Sequence, residues 1–315
     1  GELVAATHGR AFWILDNLAF LEQLARQTQY SVAAAQVFSP ENAWMTGSYG
    51  DVASTFSGEN PRYGARVFFN LPPNYTGSTP ATLSFVDAQG ETIRSFTLHR
   101  APKKSVDLDE DQEDQTDQAH LRARSDAEAT AVRPGMNAFQ WDLKYAPAFD
   151  APGYKIDQTD DFSDSGDGPT TLPGTYTAVL RYGSQELRAP FTITVDPRVH
   201  PAAGALQARL ALELQILGEI DRLDRAIANA MAAKAHASPQ TARAIDDEIA
   251  KLMLLGKTSS EFDVIHPTQV REQLAFLMNS LEGAYQAPTA AETETYPDLK
   301  ALADAGIAKL RELAP

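Results

Sequence analysis

Hydrophobic positions along the chain follow two main rhythms: a period of two from about Arg66 to Val195, then a period of three to four. The first apolar runs, Leu3–Ala6 and Phe12–Leu15, flank a Thr7-His8-Gly9-Arg10 turn, and this predicts a short β-hairpin. A lone hairpin is marginal in water, so the pattern calls for sheet partners elsewhere. Leu18, Leu21 and Leu24 are spaced for a short helix that opens a linker. From about Arg66 the alternation is plain. Val67, Phe69 and Leu71 share one face, and residues 81–98 predict two strands turning at Asp87–Gly90. Phe139, Trp141, Leu143 and Tyr145 are expected to point inward, with Gln140, Asp142 and Lys144 outward. Pro173-Gly174 turns the chain before Tyr176. Two more strands meet around Tyr182–Gln185, and Phe191, Ile193 and Val195 continue the inner face. Short alternating strands with turn signals between them predict an antiparallel β-sandwich. Each inward aromatic would remove about 150–250 Å² from water.

Beyond Asp196-Pro197 the rhythm changes. Leu206, Leu210, Leu214, Leu217, Ile220, Leu223, Ile227 and Met231 form one stripe on a helix of about 25–30 residues. Ser238-Pro239 is an N-cap followed by a first helical position; Ile245, Ile249 and Leu252 continue that helix, and Gly256 can end it. A third helix carries Val270, Leu274, Leu277 and Leu281. A fourth is expected to start near Thr295–Pro297 and to carry Leu299, Leu302, Leu310 and Leu313. Four amphipathic helices with short links predict an antiparallel bundle. The chain thus reads as multi-domain, β then α. Terminal strands occupy 1–18, a linker with a short helix 19–60, a sandwich with two acidic insertions 61–198, and a four-helix bundle 199–315.

Composition narrows the choice. Hydrophobic residues make up 43% and charged residues 22%, an ordinary soluble balance, and no run approaches the ~18 apolar residues of a membrane span. With no Cys there are no disulfides and no thiolate metal sites. The net charge of −15 is local: seven acids lie in Asp107–Asp117 and five in Asp157–Asp167, with no Lys or Arg in either block. Such blocks read as solvated insertions between strands, and they repel phosphate backbones, so nucleic acid is not an expected partner. There is no initiator Met, basic n-region or signal-peptide core, and the chain reads as an internal or C-terminal piece of something longer.

Candidate chemistry is sparse. His8 and Arg10 in the opening turn could face a ligand, but backbone bonding within the turn is the simpler role. Trp141-Asp142 could form a sugar-stacking platform, yet Trp141 is in phase with Phe139 and Leu143, which assigns it to the core. Tyr49, Tyr63 and Tyr75 lie in loop-like segments freer to stack on carbohydrate. Asp160, Asp161, Asp164 and Asp167 are calcium candidates by oxygen count. However, Leu172 stands where the bidentate Glu of a calcium loop belongs, and the flanks are not helical. Gly256-Lys257-Thr258 lacks the first glycine of a phosphate loop. The six His are scattered without ligand spacing, and paired carboxylates for glycoside hydrolysis need a cleft that sequence proximity does not supply. No catalytic, cofactor-binding or metal site is therefore assigned. The residues singled out, Phe12, Trp13, Trp141 and Tyr176, are structural.

The segment Thr7-His8-Gly9-Arg10-Ala11-Phe12-Trp13-Ile14-Leu15-Asp16, followed by sandwich and helices, resembles the closing part of secreted bacterial β-propellers of the sortilin-like, BNR-repeat (glycosyl hydrolase-like) type. Gly135–Asp142 and Pro173–Tyr176 also resemble the Ig-like domain of flagellar hook-capping proteins. The resemblance implies that the hairpin is the outer part of a final propeller blade whose partners lie upstream or on another chain. It further implies a secreted, periplasmic or cell-envelope location. No Asp-box and no other blade is present, so no propeller pocket and no catalytic residue carries over. A non-catalytic binding or scaffolding region is the leading expectation. The alternatives are the accessory end of a glycoside hydrolase, whose partner would be carbohydrate, and a subunit of a larger envelope assembly.

Overall fold

The structure, a computed structural model, describes residues 3–6, 8, 12–15, 18–27, 31–46, 63–101, 130–152, 167–254 and 269–314. It is a mixed α and β chain with mostly sheet before residue 196 and helix after it. Contacts divide it into two compact units. One comprises the strands and α1; the other comprises the later helices together with the described residues of 145–170.

β1 (Leu3–Ala6) and β2 (Phe12–Leu15) form the expected hairpin, with Leu3 opposite Leu15 and Ala6 opposite Phe12. Among the described residues this two-stranded sheet bonds to no other strand. α1 (Leu18–Arg26) follows. Its anchor is Phe20, not the expected leucine stripe: the ring stacks on Phe68 at 4.3 Å and meets Phe38 edge-on at 5.0 Å. Gln23 reinforces the contact, its amide donating to Ser39 O and accepting from Ser39 N.

The larger sheet runs in the order β4 (Ala43–Met45), β11 (Gln185–Val195), β10 (Gly174–Tyr182), β6 (Ala81–Asp87), β7 (Thr92–Arg100), β8 (Ala131–Val132). A three-stranded sheet has the order β3 (Gln36–Val37), β5 (Ala65–Leu71), β9 (Gly135–Trp141). Most pairings are antiparallel, but the edge strands β4 and β8 run parallel to their neighbours. Both arrive by connections far longer than a hairpin, which frees them from antiparallel geometry. The β6–β7 turn is set by Asp87, whose Oδ1 accepts from Gln89 N and Glu91 N.

The expected inward residues Val67, Phe69, Leu71, Phe139 and Trp141 are all buried. Phe85 of β6 stacks on Trp141 of β9 at 4.2 Å, and Phe191 of β11 meets both rings edge-on. One aromatic core therefore joins the two sheets. β9 stops at Trp141, earlier than the alternation implied, because the backbone turns at Leu143 (φ 63°). That turn lets the Trp141 indole N–H donate to Lys144 O at 3.0 Å, and it takes Tyr145 off the inward face. Tyr176 is buried, its hydroxyl donating to Leu172 O and bonded to Thr171 Oγ1.

The second unit is built on α2 (Ala205–Lys234), α3 (Pro239–Leu252), α4 (Val270–Leu281) and α5 (Ala290–Leu313), which share one apolar core. Ser238 caps α3 as expected, accepting from Thr241 N, and Pro239 takes the first position. The buried face of α2 is wider than the stripe: Leu212 and Ile216 join it, while Leu214, Leu217 and Met231 are only partly buried. α5 starts at Ala290, not near Thr295–Pro297. Thr289 and Glu292 close a reciprocal capping box there, and Pro297 lies inside the helix. Gly256 lies outside the described residues. Among the described residues no helix is long and apolar enough to cross a membrane.

Candidate functional site

The described residues of the connection from β9 to β10, 142–152 (its first limb, the strap) and 167–173, are bonded to each other at a neck. Thr171 N donates to Leu143 O at 2.8 Å, and one step further on Tyr145 N donates to Pro169 O at 2.9 Å. The two limbs press so closely that a Cβ on Gly168 would stand 2.2 Å from Tyr145 O, so only glycine fits. Beyond the neck the strap belongs to the helical unit. Ala148 and Ala151 are buried in the helical core. Between them, Phe149 N donates to Asp221 Oδ1 at 3.0 Å. The Arg225 guanidinium lies 4.9 Å from the Phe149 ring centroid and is held by both oxygens of Asp221.

Beside this contact lies a buried ionic cluster. Arg271 of α4 and Asp224 of α2 are both fully buried, with Nε 3.4 Å from Oδ2. Asp150 of the strap reaches the same guanidinium at 3.6 Å from its more exposed rim (57%). Glu272, also buried, accepts from Leu254 N at 3.0 Å. Two carboxylates thus approach one guanidinium, with Glu272 next to it in sequence, and Asp224 Oδ1 and Glu272 Oε2 are buried without a hydrogen-bond partner among the described residues. Burial strips these carboxylates of water faster than Arg271 repays them. Asp224 is accordingly pushed up to about 6 by burial, against the pull of Arg271. Burial also raises Asp150 and Glu272. The cluster can store and release a proton, but none of the described His lies among its residues.

A cavity of about 280 Å³ is lined by Arg222, Arg225, Asn229, Leu310 and Arg311, among others. Its positive charge is largely met: Arg222 bonds Glu219 and Asp304, and Arg225 bonds Asp221. Arg311 sits in the last turn of α5, where the helix end is itself negative. Little field remains to draw in an anion.

The residues expected to matter are not brought together. Trp141 is fully buried and Trp13 is 67% exposed; the side chain of Phe12 lies outside the description. His8 is exposed, and Arg10 falls outside the described residues. Tyr75 is no sugar platform: it is 1% exposed, packed against Tyr182 with its hydroxyl toward Leu98 O. Tyr63 is half-buried, and its carbonyl accepts from the Gln140 amide. Tyr49, Asp160, Asp161, Asp164 and the 107–117 acidic block lie outside the described residues, whereas Asp167 is described and half-buried. Among the described residues no three His, Asp or Glu side chains converge as a metal site. One sequence signal points to the ionic cluster: Asp224 stands between Ile220 and Ile227 at stripe spacing, a charge on an apolar face.

No protein-family model matches the chain, and no curated protein or solved structure is detectably similar to it.

Proposed function

We propose that this chain is a non-catalytic binding or scaffolding region whose opening hairpin completes a β-sheet supplied by another stretch of polypeptide. The observation that carries this reading is the hairpin itself. Its strands pair only with each other among the described residues, and Leu3, Val4, Trp13 and Leu15 are 53, 56, 67 and 47% exposed. Two strands that show this much apolar surface on such a short ladder are poorly stable alone and gain most from added strands. The resemblance in sequence makes the missing sheet the last blade of a sortilin-like, BNR-repeat propeller in a secreted or envelope protein. On that reading the two sheets of the first unit form an Ig-like sandwich and the later helices an antiparallel bundle.

The test is the intact mass and N-terminal sequence of the natural polypeptide, combined with hydrogen exchange at the amides of 4–6 and 12–15. The expected result is a chain extending well upstream of Gly1, in which these amides are protected; in the 315-residue chain alone they exchange freely. A natural chain that begins at Gly1, with the hairpin amides unprotected in its native preparation, overturns the reading.

A further inference from the structure

The strongest feature unrelated to the hairpin is the buried cluster beneath the strap. Its geometry has two parts. Apolar and hydrogen-bonded contacts seat the strap: Ala148 and Ala151 in the core, Phe149 N on Asp221, and the Phe149 ring under Arg225. The ionic part lies next to them, with Asp150 on the strap, Asp224 on α2, and Arg271 and Glu272 on α4. Asp150 is the half-open rim of this cluster, 57% exposed where Arg271 and Asp224 are fully buried.

We propose that the Asp224–Arg271–Asp150 cluster is a pH-sensitive clasp, which holds residues 145–152 down on α2 and α4 in acid and loosens them as the pH rises. With Asp224 protonated, Asp150 meets Arg271 without a rival charge from Asp224, and the strap is held through that pair. With Asp224 ionised, two carboxylates compete for one guanidinium, with Glu272 a third at its edge, and the repulsion is relieved by lifting the strap to admit water. Among the described residues, the charged groups whose fields reach Asp224 are Arg271 and Glu272 from α4 and Asp150 from the strap. Asp167, on the returning limb, acts on Asp150 in the same repulsive sense. On its own helix, Asp221 and Arg225 neutralise each other at the seat of Phe149.

The sign follows from linkage. Asp224 binds its proton more tightly in the clasped form, where burial raises it from 3.8 to about 6. Clasping is therefore fully favoured below the value of the opened form and weakens as the pH rises through the value of the clasped form. If the opened strap returns Asp224 to its ordinary value, the opening equilibrium grows about 25-fold between pH 4.5 and 7.5.

The experiment is hydrogen exchange at the amides of 145–151 over that range, corrected for the intrinsic pH dependence of exchange, with the β10–β11 hairpin as internal reference. Protection of the strap is expected to fall about 25-fold in the native chain and to stay flat and high in Asp224→Asn. Strap protection that does not change with pH overturns the clasp, as does the same fall in Asp224→Asn. If that variant does not fold, the carboxyl resonance of Asp224 in the native chain decides. A titration midpoint near 6 supports the clasp, and one at or below the ordinary aspartate range refutes it.

Discussion

Gly306 of α5 is buried against the end of α3. A methyl group added there would lie 2.3 Å from Leu252 Cδ2, 2.9 Å from Cδ1 and 3.1 Å from Cγ. Two effects oppose each other in Gly306→Ala. Alanine in a helix interior gains about 1 kcal/mol over glycine. Overpacking a filled core costs about 1–3 kcal/mol, and the contact at Cγ means that Leu252 cannot escape by turning its tip alone. Leu252 is itself 3% exposed and capped by buried Met253. The net expectation is a loss of about 1 kcal/mol, despite the better helix former. Leu252→Ala alone should cost about 2–5 kcal/mol through the cavity it leaves. In the double variant the new methyl enters that cavity, so the two losses should fall short of additivity by about 1 kcal/mol or more. Urea unfolding followed by the helical circular dichroism signal measures all four corners of the cycle. Stabilisation of Gly306→Ala by its full propensity gain, or a cycle additive to within about 0.3 kcal/mol, would show that α3 and α5 are not packed as described.

Three further outcomes follow from the same kind of reasoning. Tyr176→Phe removes the hydroxyl that donates to Leu172 O and bonds buried Thr171; it should destabilise the β unit by about 1–2 kcal/mol, read by chemical unfolding monitored through tryptophan fluorescence. Asp196 is held down at about 2, first by its side-chain bonds to Arg198 and then by the Arg198 backbone N–H. Its contribution to stability is complete above the ordinary aspartate value of 3.8 and is lost as the pH falls through about 2. A carboxyl NMR titration should place the midpoint there in the native chain and nearer the ordinary value in Arg198→Gln. Gly168→Ala drives a methyl against Tyr145 O and Ala146 O, and should abolish exchange protection at the Tyr145 amide while leaving the amides of β6 unchanged.

How much of this was readable beforehand depended on the range of the interaction. Val67, Phe69 and Leu71 declared their face by alternation alone, and Ser238-Pro239 declared a helix start, because each signal lies within a few residues. The start of α5 lies upstream of Thr295–Pro297 because its signal, Thr289 with Glu292, stands in a polar stretch that carries no apolar periodicity. The alternation through Tyr145 failed for a different reason. A left-handed Leu143, needed to satisfy the Trp141 indole, breaks the period without any glycine to announce it. The strap and its cluster were hidden by distance in sequence, since Asp150, Asp224 and Arg271 meet only once the helices have packed.

That distance has a consequence for synthesis. At roughly 10 residues per second on the ribosome, Asp150 emerges on the order of ten seconds before Arg271. During that interval Ala148 and Ala151 have no helical core to enter, and the β10–β11 hairpin can form and close the neck at Thr171 before anything exists for the loop to grip. The nascent chain can therefore present residues 145–152, tethered at that neck, before the helices are made. Their assembly becomes a docking event onto an existing anchor, so a pause or truncation before α4 should leave this apolar, acidic segment open to chaperones and proteases.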